Sequence, residues 1–354
     1  MSKVAINGFG RIGRAFLKLA LTKPELDVVA INDLGDPEML VYLLKYDSVY
    51  GRFPKEIRRL TRTEHGLTQN YFAVDGKEIL FLSEKDTTKL PWKELGVDIA
   101  VEATGVFEGY EAAKFHIDQG AKRVVLTAPA KDEDGSINSP QGNPDGKTVL
   151  LGANDEDLKT CTISSNGSCT TNSAHPVMQV LSETLGVKKS FLVSTHGYTA
   201  TQNLVDGPTK SRDMRRGRAA AVNISPSFTG ATLAVERAVK TVKGKFGGVA
   251  FRVPIITGSI SAITSLVGRS TTVEEVNEIF KKAEKDKKWR GIMRTIDEQL
   301  VSTDIIGEPH GAIIDLGLTQ VTDGDLVTVF AWYDNEAGYT NTLVQHVLKV
   351  AELM

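Results

Sequence analysis

Apolar residues fill Val4–Ile6, a glycine-rich turn follows, and Ile12, Phe16, Leu19 and Ala20 then recur at helical spacing. A second apolar run occupies Val28–Ile31. Short, fully apolar runs bounded by turn residues mark strands buried on both faces, so this strand, helix, strand order predicts the opening half of a parallel doubly wound sheet. The stretches "VDIAVEATG", "RVVLTAP" and "TVLLGAN" have the same texture and extend it.

Beyond Cys169 the pattern changes. "KSFLVSTHGYT", "GGVAFRVPIITGSISAITSLVG" and "DLVTVFAWYD" are longer and alternate, which predicts a mixed, largely antiparallel sheet, with a helix near Val273–Lys285. The last segment, "NTLVQHVLKVAEL", sets Leu343, Val347, Val350 and Ala351 on one side and reads as a closing helix. The polar stretch Ala130–Lys147 reads as an exposed loop. The fold class is therefore α/β plus α+β: a Rossmann-type domain over residues 1–168, completed by the helix at 336–354, followed by a second domain over 169–335.

Composition narrows the function classes. At 354 residues, with 41% hydrophobic and 24% charged residues, the chain has material for two cores. A net charge of −2 gives no reason to expect nucleic acid or an anionic membrane as the main partner. The first strand starts at Lys3, and no apolar run reaches the roughly 18 residues of a spanning helix, so a cytoplasmic protein is expected. Two cysteines, Cys161 and Cys169, build no disulfide framework, and no cysteine and histidine cluster has zinc spacing, so no metal is expected.

The turn carries Gly8, Gly10 and Gly13 as G-x-G-x-x-G, placed after a strand and opening a helix. Glycines there allow close backbone approach, and the helix N-terminus offers positive potential to a pyrophosphate. Asp33, about 20 residues beyond the last glycine, ends the second strand where a carboxylate accepts from ribose hydroxyls and repels a 2′-phosphate. Together these predict NAD rather than NADP.

"SSNGSCTTNS" surrounds Cys169 with small hydroxylated residues, odd company for a buried apolar thiol. A thiolate nucleophile needs a cation, a base or a helix start beside it. A helix follows in "TTNSAHPVMQVLSETL", and Pro176 leaves two options, a start near the proline or a kink there. Two histidines are candidate bases: His196, which ends a predicted strand, and His175, which is nearer along the chain. Arg252 interrupts the apolar strand "AFRVP", where a charge usually has a partner.

"AINGFGRIGR", "SSNGSCTTN", "THGYTATQ", "RRGRAAAVNISPSFTGA", "AFRVP" and "WYDNEAGYTN", in this order, resemble the phosphorylating glyceraldehyde-3-phosphate dehydrogenases, and the resemblance runs from Val4 to the last helix. It implies that Cys169 adds to the aldehyde of glyceraldehyde 3-phosphate, that His196 accepts the proton, and that inorganic phosphate removes the acyl group from sulfur. It also implies that Asn335 holds the nicotinamide carboxamide, while Arg11, Ile12, Lys85 and Thr127 line the cofactor. Ser168, Thr170, Thr229 and Gly230 would serve the attacking phosphate, Thr199 and Arg252 the substrate phosphate, and Arg216 both. A homotetramer is implied, with "KSRDMRRGR" against a neighbour's cofactor. The threonines Thr199 and Thr229 favour this substrate over the erythrose 4-phosphate of a sister family. Ser173, where a second cysteine is common, and His175, in place of an apolar residue, depart from the family pattern.

Overall fold

The computed structural model describes residues 1–64, 67–131, 145–209, 211 and 213–354. Most of the loop expected at Ala130–Lys147 lies outside these residues, and its last residues, Gly146 and Lys147, are already strand. The chain divides into two compact units. One comprises Met1–Thr148, Glu156–Asn166 and Leu343–Met354, the other Val149–Asp155 and Gly167–Thr342.

In chain order the first unit contains β1 (Ser2–Asn7), α1 (Arg11–Ala20), β2 (Leu26–Asn32), α2 (Pro37–Lys45), a ribbon of β3 (Tyr46–Asp47) and β4 (Gly51–Arg52), β5 (Ile57–Glu64), β6 (Leu67–Val74) and β7 (Lys77–Leu82). There follow α3 (Trp92–Leu95), β8 (Ile99–Glu102), α4 (Tyr110–Ala113), α5 (Phe115–Asp118), β9 (Arg123–Leu126), β10 (Gly146–Thr148) and β11 (Ile163–Ser165). Among the described residues nine strands form one sheet in the order β10-β11-β9-β8-β1-β2-β7-β6-β5. It is parallel from β10 to β7, and β7, β6 and β5 close it as an antiparallel meander. The signal for that meander is Asp75-Gly76, both at positive φ, a two-residue hairpin turn between Val74 and Lys77.

Two local expectations are corrected. The buried face of α1 runs through Gly13, Phe16, Leu17 and Ala20, with Ile12 and Leu19 only half-buried. The strand expected in "TVLLGAN" ends at Thr148. Beyond it Asn154 Oδ1 accepts from Leu150 N (2.9 Å) and Asp155 Oδ1 from Gly152 N (2.6 Å), so side chains take the donors a ladder would need.

The second unit holds α6 (Cys169–Thr184), β12 (Val187–Gly197), β13 (Ser225–Ser227), α7 (Ala231–Ala238), β14 (Phe246–Val253), β15 (Ser259–Val267), α8 (Val273–Glu284), β16 (Met293–Ile296), β17 (Ala312–Thr322), β18 (Leu326–Tyr333) and the start of α9 (Ala337–Glu352). Its sheet runs β13-β14-β12-β15-β18-β17-β16, antiparallel except where β12 meets β14 and β16 meets β17. Along β12 the two-residue period buries Leu192, Ser194 and His196 on one face, so the polar end of the strand is carried inward with its apolar part. Within the first unit, α9 buries Leu343, Val347 and Val350. Among the described residues no helix is long and apolar enough to cross a membrane, and no cluster of His, Cys, Asp and Glu could hold a metal ion.

Candidate active site

The helix of the thiol starts at the thiol. Ser168 is the N-cap of α6: its Oγ accepts from Thr171 N (3.1 Å), while Ser168 N donates to Thr171 Oγ1 (3.0 Å). This reciprocal cap makes Cys169 the first helical residue, and α6 continues through Pro176 rather than starting there. Cys169 is half-buried at the positive end of a sixteen-residue helix.

His196 comes from the end of β12, with its Nε2 3.2 Å from Cys169 Sγ. Parallel pairing of β12 with β14 sets Arg252 directly beside it, and Arg252 Nη1 lies 2.5 Å from His196 Nδ1. Both groups reach Gly197 O, Nδ1 at 2.6 Å and Nη1 at 3.2 Å. Arg252 Nη1 can only donate and Gly197 O can only accept, so Nδ1 serves one of them at a time, and the tautomer with its proton toward Gly197 O is the one that leaves Nε2 as the acceptor facing sulfur. Burial and the neighbouring Arg252 charge pull His196 down to about 3. Burial pushes the Cys169 thiol up, and Arg252 and the Thr170 hydrogen bonds pull against it. Both shifts favour the uncharged forms of the pair, with Arg216 adding its charge to that of Arg252 at the histidine. Arg252 Nε is buried without a partner among the described residues, which leaves donor capacity for an anion.

The remaining hydroxyls and cations occupy strand ends and loops of the same unit. Thr170 Oγ1 is 2.9 Å from Tyr333 OH, which is 2.8 Å from Ser194 Oγ, so a buried tyrosine ties the start of α6 to β12. Arg216 bonds Thr201 Oγ1 and Ser227 Oγ (3.3 Å to the latter), and Thr199 Oγ1 pairs with Thr201 Oγ1 at 3.0 Å. Thr229 Oγ1 accepts from Ala231 N (3.2 Å), and Gly230 opens α7 without a side-chain cap. His175 stands apart from the thiol chemistry: it is fully buried with Nε2 3.0 Å from Leu151 O, and burial lowers it to about 4. Ser173, also buried, donates to Ser261 Oγ (3.1 Å).

Asn335 belongs to this unit too. Its Oδ1 takes a hydrogen bond from Ser259 Oγ (2.9 Å) and lies 3.1 Å from Thr257 Oγ1, so the amide is turned with Nδ2 as its free end. Ser259 Oγ in turn accepts from Gly197 N (3.2 Å), linking that amide to the histidine strand. Reading the residues one by one missed Tyr333, Ser194, Thr257 and Ser259. Ser194 had a signal, since it shares the face of His196 two residues earlier in an apolar strand.

The description "Glyceraldehyde 3-phosphate dehydrogenase, NAD binding domain" matches residues 2–110, and "Glyceraldehyde 3-phosphate dehydrogenase, C-terminal domain" matches residues 168–335. The chain belongs to the glyceraldehyde-3-phosphate dehydrogenase family. It is 48% identical over 347 residues to a glyceraldehyde-3-phosphate dehydrogenase of Thermotoga maritima, covering 97% of each chain. With the enzyme of that name from Clostridium pasteurianum it shares 44% identity over 349 residues, 98% of this chain and 97% of the relative.

The family's NAD binding domain lies in the first unit, and its glycine turn fits a dinucleotide. A Cβ on Gly8 would come within 2.5 Å of Ala103 C and Thr104 N, and one on Gly13 would strike Gly8 O, so only glycine lets this backbone close. Gly10 gives α1 no side-chain cap, and Arg11 and Ile12 form its first turn. Asp33 Oδ2 accepts from Phe9 N (2.6 Å) and Oδ1 from Gly35 N (2.7 Å), which fixes the carboxylate at the end of β2 beside the turn. Arg11 Nη2 lies 3.2 Å from Asp47 Oδ1. Thr127 is half-buried just past β9, and Lys85 is exposed beyond β7.

Proposed function

We propose that this chain oxidises D-glyceraldehyde 3-phosphate to 1,3-bisphosphoglycerate with NAD and inorganic phosphate, a step shared by glycolysis and gluconeogenesis. The observation that carries this reading is the Cys169 Sγ to His196 Nε2 distance of 3.2 Å, with Arg252 in register beside the histidine. Bound NAD would be held by Gly8, Gly10, Arg11, Ile12, Gly13, Asp33, Lys85, Thr127 and Asn335, and supplies a hydride acceptor for the oxidation.

The chain's own residues do the rest. Cys169 Sγ forms a bond to the carbonyl carbon, the carbonyl π pair moves to oxygen, and His196 Nε2 takes the thiol proton. Arg252, with its partnerless Nε, and Thr199 hold the substrate phosphate, while Arg216 reaches both anions. An anion on Arg252 offsets the charge that depresses His196, so substrate binding itself favours the proton transfer. After oxidation the acyl group stays on sulfur. A phosphate oxygen, placed by Ser168, Thr170, Thr229 and Gly230, bonds to the acyl carbon, and the carbon to sulfur bond breaks with thiolate as leaving group.

The test is NAD reduction by the purified protein with the aldehyde, with and without phosphate or arsenate. Sustained turnover is expected only with the anion. Equal steady-state rates without it would contradict acyl transfer to phosphate.

A cytoplasmic homotetramer belongs to the same proposal. Leu204, Val205, Met214, Val222, Ile224 and Phe228 are all exposed in the second unit and are the apolar side chains that a neighbouring subunit would cover. Light scattering on the eluted protein is expected to give about four times the chain mass.

A further inference from the structure

A chain of buried polar groups runs beneath the glycine turn, outside the thiol chemistry. Asn32, Asn7 and Glu102, at the carboxyl ends of β2, β1 and β8, and His116 of α5 are at most 6% exposed and bond in that sequence. The polarity of this chain is fixed from both ends.

At one end the main chain of Glu84 sets the amide of Asn32: Glu84 N donates to its Oδ1 (2.8 Å) and Glu84 O accepts from its Nδ2 (3.0 Å). Asn32 Nδ2 also donates to Asn7 Oδ1 (2.8 Å), so Asn7 must present Nδ2 to Glu102 Oε2, 2.7 Å away. At the other end Trp92 Nε1, which can only donate, points to His116 Nδ1 at 2.9 Å. The histidine is then neutral with its proton on Nε2, and it donates to the same Oε2 at 3.0 Å. Glu102 Oε1 accepts from Thr104 N (2.9 Å) and from the Thr104 hydroxyl, whose oxygen is itself taken by Val106 N (3.0 Å). Four donors converge on two oxygens, and an ionised carboxylate alone accepts them all.

Asn7 immediately precedes Gly8, and Ala103 C and Thr104 N are the atoms that Gly8 rests on. We propose that Glu102 is a positioning residue for the dinucleotide turn: its carboxylate holds Asn7 on one side and Thr104 on the other, and so sets the backbone that closes on the cofactor. This rests on the reading of that turn as the cofactor cradle. Glutamine has the same shape but fails in either orientation. With its NH2 toward Asn7 and His116 it meets two donors. With its NH2 toward Thr104 it meets the main-chain N–H beneath Gly8, which has to move.

The test has two arms. In the apo wild-type protein, nitrogen NMR of His116 is expected to show the Nε2–H tautomer at neutral pH. An Nδ1–H tautomer or an imidazolium overturns the proposal, whatever the cofactor does. In the second arm, Glu102→Gln is expected to raise the Kd and KM for NAD about tenfold, with kcat at saturating NAD within about twofold of wild type. Trp92→Phe, which cuts the far end and spares Thr104, should lower the melting temperature and leave the NAD Kd within about twofold. A Glu102→Gln protein that binds NAD like wild type overturns the proposal, as does a Trp92→Phe protein equally weakened for NAD. Should Glu102→Gln not fold, Asn7→Ala takes its place, with a raised Kd expected and an unchanged one decisive against the idea. Wild-type protein that binds no NAD would sink the functional reading and leave the tautomer result standing.

Discussion

His116 and His196 are both buried, both at strand or helix ends facing polar partners, and chemically opposite. Every ring nitrogen of His116 has one partner of fixed polarity, the indole of Trp92 and the carboxylate of Glu102. His196 Nδ1 is shared between Arg252 and Gly197 O, and its Nε2 faces a thiol that can give up its proton. A network whose donors and acceptors match has one arrangement and holds backbone in place. A network with a surplus guanidinium and an unpaired Nε has work left for an arriving anion. The difference, better than burial, separates a scaffold histidine from one proposed to react.

Substitutions can break this contrast. The largest effect is expected for Cys169→Ser, which should lower kcat for aldehyde oxidation by roughly 10^4-fold or more, because the acyl carrier is gone. His196→Asn should lower kcat about 10^2- to 10^4-fold with the fold intact, whereas His116→Asn should move the melting temperature and leave kcat at saturating NAD nearly unchanged. If both asparagine variants lose kcat alike, the contrast between the two histidines fails.

His175 sharpens it from a third side. Folding lowers it to about 4 from an unfolded value near 6.5, so its neutral form contributes stability that is complete above about pH 6.5 and is lost as pH falls toward 4. The stability of wild type relative to His175→Leu, from denaturant titrations, should therefore fall by about 3 kcal/mol between pH 7 and pH 4. A flat difference would show that His175 takes up its proton in the folded protein as it does in the unfolded chain. The smallest effect is expected for Asp33→Ser, which should raise KM for NAD about tenfold and narrow the preference over NADP in steady-state kinetics. Unchanged discrimination would move the 2′ recognition to another residue.

How much was legible follows from what kind of interaction each residue serves. The glycine turn, Asp33 and the strand, helix, strand order could be read because close backbone approach and double burial impose residue types at short spacing. The cysteine segment stood out by its neighbours. The antiparallel meander of β5 to β7 was missed although Asp75-Gly76 marked its turn, and the end of β10 was misplaced because side-chain capture of backbone donors looks like any Asn and Asp pair in sequence. The α6 start was ambiguous because proline favours a first turn, whereas here it stands inside the helix at the expense of one ladder bond and the Ser168–Thr171 cap fixes the start.

By itself the sequence determined the two textures of sheet, the dinucleotide turn and the candidate thiol, since periodicity and glycine placement act over a few residues. Only the tertiary structure put His196 rather than His175 beside the thiol, set Arg252 next to it, and revealed Glu102 as the meeting point of four donors. Strand register and the polarity of hydrogen-bond chains join residues far apart along the backbone, and nothing local in the sequence encodes which of them will meet.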